Sequence, residues 1–289
     1  MLRSMSDLED YTIRATDGSV GLVKDFYFDD QTWVIRYLAI DTGNWLYSRS
    51  VLISPIAIGK PNWAERALPV SITREQVKGS PHIAAGQPIS RQFEKQYLGY
   101  YRFSYYWDGV GLWGDGAAPG VLITGALASP PTEASREREI AYEHAESTQQ
   151  QQQQQQQDHQ DIHLRSCKAV VGCHIHASDG DIGRVQGMLV DEDTWAVRYL
   201  IVETGHWWRG HQVLIAPQWI EAVGWQPKWI KEVGWADAVV TVNLTRQAVQ
   251  DAQPYSAGLQ LERAQEAALH QHYGLPGYWT GELKQRAEK

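Results

Sequence analysis

Residues 16–55 and 178–217 align without a gap at a constant offset of 162, and 17 of the 40 positions are identical. They read TDGSVGLVKDFYFDDQTWVIRYLAIDTGNWLYSRSVLISP and SDGDIGRVQGMLVDEDTWAVRYLIVETGHWWRGHQVLIAP. The shared residues include Asp17/Asp179, Gly21/Gly183, Trp33/Trp195, Arg36/Arg198, Tyr37/Tyr199, Gly43/Gly205, Trp45/Trp207 and Pro55/Pro217. A repeat of this kind must be found before any other element is assigned, because each copy is then expected to fold as one unit. The match resumes as VSITREQV (70–77) against VNLTRQAV (242–249), and as ISRQFEKQYLGYYRFSYYW (89–107) against LERAQEAALHQHYGLPGYW (261–279), now at an offset of 172. The ten extra residues have a visible origin: WIEAVGWQPK (219–228) is followed at once by WIKEVGWADA (229–238). This internal duplication at 219–238 is expected to lengthen one loop and to present Trp219, Trp225, Trp229 and Trp235 from it.

Each copy reads as strands. Asp-Gly at 17–18 and 179–180 is a hairpin signal, and VKDFYF, WVIRYLAI and VLIS are β-branched or aromatic runs of strand length. Alternation in WVIRYLAID puts Trp33, Ile35, Tyr37 and Ala39 on one face and Val34, Arg36, Leu38 and Ile40 on the other. Both faces are largely apolar, as in a closed or packed sheet. Thr73 and Thr245 stand where helix N-caps would, and 90–97 and 262–271 favour helix. Between the copies lie Pro130-Pro131, a charged stretch and nine consecutive Gln at 149–157, a composition that cannot bury a core. The fold class is therefore mainly β: a small barrel followed by short helices at 1–110, a Gln-rich linker, flexible or partly helical, at 111–165, and a second such unit at 166–289.

The 289 residues suffice for two domains that bury cores without disulfides or metal. Thirteen Trp and 14 Tyr against 4 Phe favour half-buried contact surfaces over dry cores. Net charge is −8, and residues 1–110 balance 12 basic against 12 acidic side chains, which disfavours nucleic acid as a partner. Acidic residues in MLRSMSDLEDY and the presence of only two Cys point to the cytoplasm. The most apolar stretch, 116–128, is too short and too broken by Gly and Pro to cross a bilayer, so no direct membrane insertion is expected.

The early strand, DGxxG, the acidic turn, RYLxI, TG and VLI-S/A-P together resemble the PRC-barrel family, named for the cytoplasmic β-barrel of the photosynthetic reaction-centre H subunit. The resemblance covers about 4–107 and 166–279. It implies two tandem barrels and a non-catalytic role in protein contacts, since the module is found in H subunits, in a ribosome-maturation factor and in stand-alone bacterial proteins. Neither an N-terminal membrane helix like the H subunit's nor a separate N-terminal barrel like the maturation factor's is expected from these residues.

Candidate sites are few. The turns at 29–30 and 191–193 have hairpin chemistry, and DEDTWAVRYL returns to a strand too soon for a calcium loop. His159, His163, Cys167, Cys173, His174 and His176 offer imidazole and thiol groups within 18 residues, yet Cys167 and Cys173 are separated by five residues and Cys173–His176 fall on a strand, which is poor zinc spacing. No metal and no cofactor is expected. Arg36 and Arg198 are expected to pair internally, with Asp41 and Glu203 as partners, rather than to bind an anion. No GxSxG, Walker A, GxGxxG after a strand, or HExxH occurs, so no catalytic residue is assigned. The candidate interaction residues are Trp45, Trp207 and Trp208 after the TG turns, with Trp219, Trp225, Trp229 and Trp235 in the duplicated insert.

The expected function is a non-enzymatic scaffold for a protein partner, with the two barrels packed as an intramolecular pseudo-dimer or engaging partners bivalently. An RNA or ribosome-assembly adaptor and a peripheral component of a membrane photosynthetic or electron-transfer complex are the alternatives.

Overall fold

The computed structural model describes every residue except 47–49, 82–88, 124–161, 206–210, 225–238, 257, 259 and 280–289, and the backbone alone of Asn44, Trp45 and Ile162. The first half of the chain supplies strands β1 (Leu2–Ser4), β2 (Thr12–Ala15), β3 (Gly18–Asp29), β4 (Ile35–Asp41), β5 (Ser50–Ile53), β6 (Ala67–Pro69) and β7 (Ile89–Ser90), with helices α1 (Met5–Leu8), α2 (Arg74–Gly79) and α3 (Arg91–Tyr101). The second half supplies β8 (Ile162–Ser166), β9 (His174–Ala177), β10 (Gly180–Asp191), β11 (Val197–Thr204), β12 (Gln212–Ile215), β13 (Ile220–Val223) and β14 (Val239–Val242), with α4 (Cys167–Val170), α5 (Arg246–Gln250) and α6 (Arg263–Tyr273). They fall into an N-terminal unit, Asp7–Lys168 with Asp193–Ala196, and a C-terminal unit, Met1–Ser6, Ala169–Glu192 and Val197–Lys289.

In the N-terminal unit the sheet order is β5-β4-β3-β2-β6, with β8 also paired to β3 and β7 to β8. The Asp-Gly signal acts twice. Gly18, at φ 141°, closes the β2–β3 hairpin, and Asp17 Oδ1 accepts the amide of Arg74 at 2.7 Å, holding the first residue of α2. Gly21 is required for a separate reason: a Cβ there would stand 2.1 Å from the carbonyl oxygen of Asp41 on the neighbouring strand. The acidic turn is a local cap, in which Asp29 Oδ1 accepts the amides of Gln31 and Thr32 at 3.0 and 3.2 Å. It delivers Trp33 at φ 56°, a left-handed conformation held by stacking on Phe28 with ring centroids 4.9 Å apart. From there every residue of β4 up to Ile40 is buried. Thr73 starts α2 with a capping box to Gln76, and Ser90 caps α3, which lays Tyr97 and Leu98 on the sheet, both fully buried. Each such large side chain contributes about 1.5–3 kcal/mol on burial.

The C-terminal unit has the order β12-β11-β10-β9-β14-β13, with β1 also paired to β10. Among β9–β12 its registers are those of β2–β5 with every number raised by 162, and β14, beyond the insert, pairs with β9 as β6 does with β2 but 172 residues on. Leu22↔Asp41 becomes Arg184↔Glu203, Phe26↔Leu38 becomes Met188↔Leu200, and both irregularities between β3 and β4 recur between β10 and β11. Gly183 faces the Glu203 carbonyl as Gly21 faces that of Asp41, and Asp179 Oδ1 accepts the Arg246 amide at 2.7 Å.

The structure shows two mainly-β units with helices; among the described residues the strand order pairs neither β5 with β6 nor β12 with β13. In the N-terminal unit the segment after β5 is spent on a proline-started helical turn, Pro55–Ala57, and on the single bridges Ile58↔Val70 and Asn62↔Ala67. The linker expected over 111–165 is folded at both ends. Trp113 is fully buried with its indole N–H donating to the Thr194 carbonyl at 2.7 Å, and β8 is a paired strand. The Gln run and 124–161 lie outside the described residues. Among the described residues no helix is long and apolar enough to cross a membrane.

Candidate functional site

The densest chemistry of the N-terminal unit is buried under α3. Glu94, on the first turn of that helix, is fully inaccessible, yet both carboxylate oxygens are satisfied. Oε1 accepts from the Tyr37 hydroxyl at 3.2 Å and the Tyr106 hydroxyl at 2.8 Å; Oε2 accepts from Arg91 Nη1 at 3.0 Å and His163 Nε2 at 2.7 Å. Four donors therefore meet one carboxylate, the condition under which a buried charge is tolerated. Burial and the neighbouring Glu94 push the Tyr37 and Tyr106 hydroxyls well above the usual phenol range, so both act as donors. Arg36 sits beside this group, its guanidinium 3.7 Å from the Tyr106 ring centroid and 4.6 Å from that of Trp113, donating to the Leu112 carbonyl at 2.6 Å. Its carboxylate is Asp29, at 3.8 Å, and not Asp41, which is exposed and accepts the Gly43 amide. Five residues apart on one strand, Arg36 and Asp41 point to opposite faces. Burial lowers the affinity of Arg36 for its proton.

The C-terminal unit builds the same group with one substitution. Glu266, on the first turn of α6, accepts from the hydroxyls of Tyr199 and Tyr278 at 3.1 and 2.8 Å and lies 3.3 Å from Arg263. Arg198 covers the Tyr278 ring at 3.9 Å and pairs with Asp191 at 3.7 Å, not with Glu203. The histidine here comes from the helix: His270 Nε2 is 3.0 Å from the Tyr199 hydroxyl, and Nδ1 is 3.0 Å from the Pro276 carbonyl. A carbonyl only accepts, so Nδ1 carries a proton; in the neutral ring Nε2 and Glu266 Oε2 then share the single Tyr199 hydroxyl proton. Burial lowers the pKa of His270, which favours this neutral form.

These groups fasten helix to sheet. None presents an activated nucleophile, and the Arg faces that would receive an anion are occupied by rings. Sequence reading missed Glu94, Tyr106, Glu266 and Tyr278, although the second aligned block carried the signal. Its shared residues are Arg91/Arg263, Glu94/Glu266, Tyr101/Tyr273, Tyr106/Tyr278 and Trp107/Trp279, and three of these five pairs are members of the network.

The predicted metal ligands are dispersed. His163 and Cys167 belong to the N-terminal unit, and Cys173, His174 and His176 to the C-terminal one. His163 is committed to Glu94; Cys167 is buried, with its thiol pushed up by desolvation; Cys173 donates to the Ala169 carbonyl at 3.2 Å; His176 faces Asp181 at 3.1 Å. Among the described residues no three His, Cys, Asp or Glu side chains gather as a metal site, and His159 lies outside them. Of the tryptophans, Trp45 has its backbone on the one-turn helix Gly43–Leu46, and Trp207, Trp208, Trp225, Trp229 and Trp235 lie outside the described residues. Trp219 corrects the expectation of display from a loop: it is 3% exposed, packed on His270 and Tyr273 with ring centroids 5.0 and 4.7 Å away. Placed in the turn between β12 and β13, its side chain fills the space under α6.

The exposed apolar residues of the N-terminal unit include Val110 and Val121, 89% and 51% exposed, on a loop folded tightly on itself. A Cβ at Gly109 or Gly111 would approach the backbone of Gly114 or Gly116 to 2.2 or 2.5 Å. That loop follows the stacked pair Tyr105 and Trp107, on which Arg91 also packs at 4.1 Å.

A comparison with curated proteins gave no match. Residues 2–68 match the family model described as the PRC-barrel domain. The matched span contains Asp29, Arg36 and Tyr37 and ends before α2, so the helix-borne half of the network lies beyond it. The N-terminal part of the chain is thus similar to the PRC-barrel domain over residues 2–68.

Proposed function

We propose that this protein is a scaffold that engages a protein partner, built on two PRC-type copies, 1–110 and 166–289, of which the second is read from the internal repeat. The observation that carries the proposal is the fate of the ionisable groups. In both units the buried Glu, Arg, Tyr and His side chains are spent on each other to fasten a helix, leaving surface loops as the variable part. The sequence divergence between copies is concentrated at NWLYSRS against HWWRGHQ and in the duplicated Trp-rich insert. Tryptophan is the residue type most enriched where interfaces draw their energy. Trp45, Trp207, Trp208, Trp225, Trp229 and Trp235 are the candidate contacts; Trp219 is withdrawn from that set by its burial.

The test is affinity capture with the full chain and with a variant carrying Trp207→Ala, Trp208→Ala, Trp225→Ala, Trp229→Ala and Trp235→Ala. A partner retained by the parent and lost by a variant of unchanged thermal stability supports the reading. Identical captured sets refute it. Recovery of ribosomal particles or a membrane complex as the specific partner would identify which alternative setting applies.

A further inference from the structure

Leu-Arg-Ser occurs twice, at 2–4 and 164–166, again 162 residues apart. The first copy forms β1 and belongs to the C-terminal unit, with register Leu2↔Asp191, Arg3↔Val190 and Ser4↔Leu189. The second lies in β8 and belongs to the N-terminal unit, with register Leu164↔Asp29, Arg165↔Phe28 and Ser166↔Tyr27. Adding 162 to the acceptor numbers of the second set gives those of the first. Each strand thus fills, in the unit built mainly by the other half of the chain, the slot its counterpart fills at home. The ion pairs correspond as well: Arg3 Nε to Glu192 at 2.6 Å, and Arg165 Nε to Asp30 at 3.0 Å. The chain changes unit inside two short helices, between Ser6 and Asp7 in α1 and between Lys168 and Ala169 in α4.

The acceptor register and the arginine pairs correspond in the two slots, but β8 also pairs with β7, and Ser166 donates to Asp25 where the C-terminal slot has Gly187. The preceding residue differs too. It is His163 in one copy and Met1 in the other, and His163 donates to Glu94 at 2.7 Å, with its own side chain 7% exposed and the glutamate fully buried. In the C-terminal unit the imidazole beside the network comes from the helix instead: α6 carries His270, 3.0 Å from the Tyr199 hydroxyl, where α3 carries Leu98. The strand bearing a histidine is therefore matched to the unit whose helix lacks one.

We infer that the two halves of this chain bind each other by reciprocal strand donation, each half being the acceptor of the other's Leu-Arg-Ser strand, and that the His163–Glu94 pair assigns each strand to its slot. Strand addition to a sheet edge supplies affinity through the main chain and specificity through alternate side chains. The assembly then does not depend on continuity of the segment between the halves.

The experiment uses the full chain with a specific protease site inserted in the Gln run. After complete cleavage, the two fragments are expected to co-elute on native sizing at the volume of the uncut protein and to separate only on denaturation; separation under native conditions overturns the inference. Co-elution alone would also follow from another contact, so strand identity is read by cross-linking. Under oxidation, Ser4→Cys with Leu189→Cys is expected to join the two cleaved fragments on a non-reducing gel. Ser4→Cys with Tyr27→Cys, which would link only if β1 sat on its own half, is expected not to link; the reverse result overturns the inference. Adding His163→Met should make the second cross-link appear in an appreciable fraction of molecules, and no change would sink the assignment role of His163. If that variant does not fold, Leu98→His added to it supplies an imidazole from α3, as His270 does from α6, and the same cross-link is read.

Discussion

His163 Nε2 lies 2.7 Å from Glu94 Oε2 across 69 residues of sequence, with both side chains buried. A carboxylate so placed is tolerated because three other donors surround it, and removing it strands all four at once. Glu94→Ala is expected to cost on the order of 3–5 kcal/mol, the range for leaving buried charges uncompensated. Tyr106→Phe, which removes one donor, is expected to cost about 1–3 kcal/mol. Denaturant unfolding of each variant measures both, and equal losses would contradict the network.

Gly21 and Gly43 separate two uses of glycine. A methyl group at Gly21 would meet the Asp41 carbonyl at 2.1 Å, whereas at Gly43, at φ 59°, it would meet nothing within 4 Å among the described residues. Gly43→Ala therefore carries only the left-handed backbone cost of about 1–2 kcal/mol. Gly21→Ala must also part β3 from β4 and is expected to lower the thermal midpoint much further.

Asp17 and Asp179 each hold the first amide of a helix at 2.7 Å. Replacing either by Ala is expected to cost about 1 kcal/mol, as for loss of a helix cap. The two losses should add within error in the double variant, because they concern separate turns. Chemical denaturation of the two single variants and the double variant tests this.

His270 gives stability a dependence on pH. Its folded pKa is lowered by burial, so the unfolded chain binds a proton that the folded chain does not. The stabilisation associated with a neutral His270 is fully present above the ordinary histidine pKa of about 6.5 and is lost as pH falls through and below it. Unfolding free energy should therefore drop between pH 7 and pH 5. The slope should be shallower in His270→Leu, the residue found at the matching position 98, and an unchanged slope would remove His270 as its cause.

Arg36 tests whether the guanidinium plane matters beyond its charge. Packed against the rings of Tyr106 and Trp113 and bonded to the Leu112 carbonyl, it uses both ring contact and directional donors. Arg36→Lys keeps the charge but not the stack and is expected to lose about 1–3 kcal/mol, in the range of a broken charged hydrogen bond with lost ring contact. Thermal unfolding at matched salt is the measurement.

Much of the fold was legible because its signals are local. Asp-Gly turns, β-branched runs and Thr or Ser before a helix act within a few residues, and they place the hairpins at 17–18 and 179–180 and the starts of α2, α3 and α5. The network was less legible. Arg36 was visible as a charge in an apolar strand, but its partner, Asp29, lies across the hairpin on the preceding strand, and its ring contacts come from residues 106 and 113. A duplicated segment looks dispensable and so points Trp219 to a loop, while packing uses this first tryptophan as core.

By itself the sequence determined that two similar units exist, where their hairpins turn and which strands alternate, since periodicity and turn chemistry need only neighbouring residues. The tertiary structure alone decided which carboxylate meets which arginine and where Leu2–Ser4 and Leu164–Ser166 pair. Both of those strands carry the same three residues toward acceptor edges of the same register. Only the second is joined to its unit by His163 and Glu94, a contact between distant residues that no local pattern encodes.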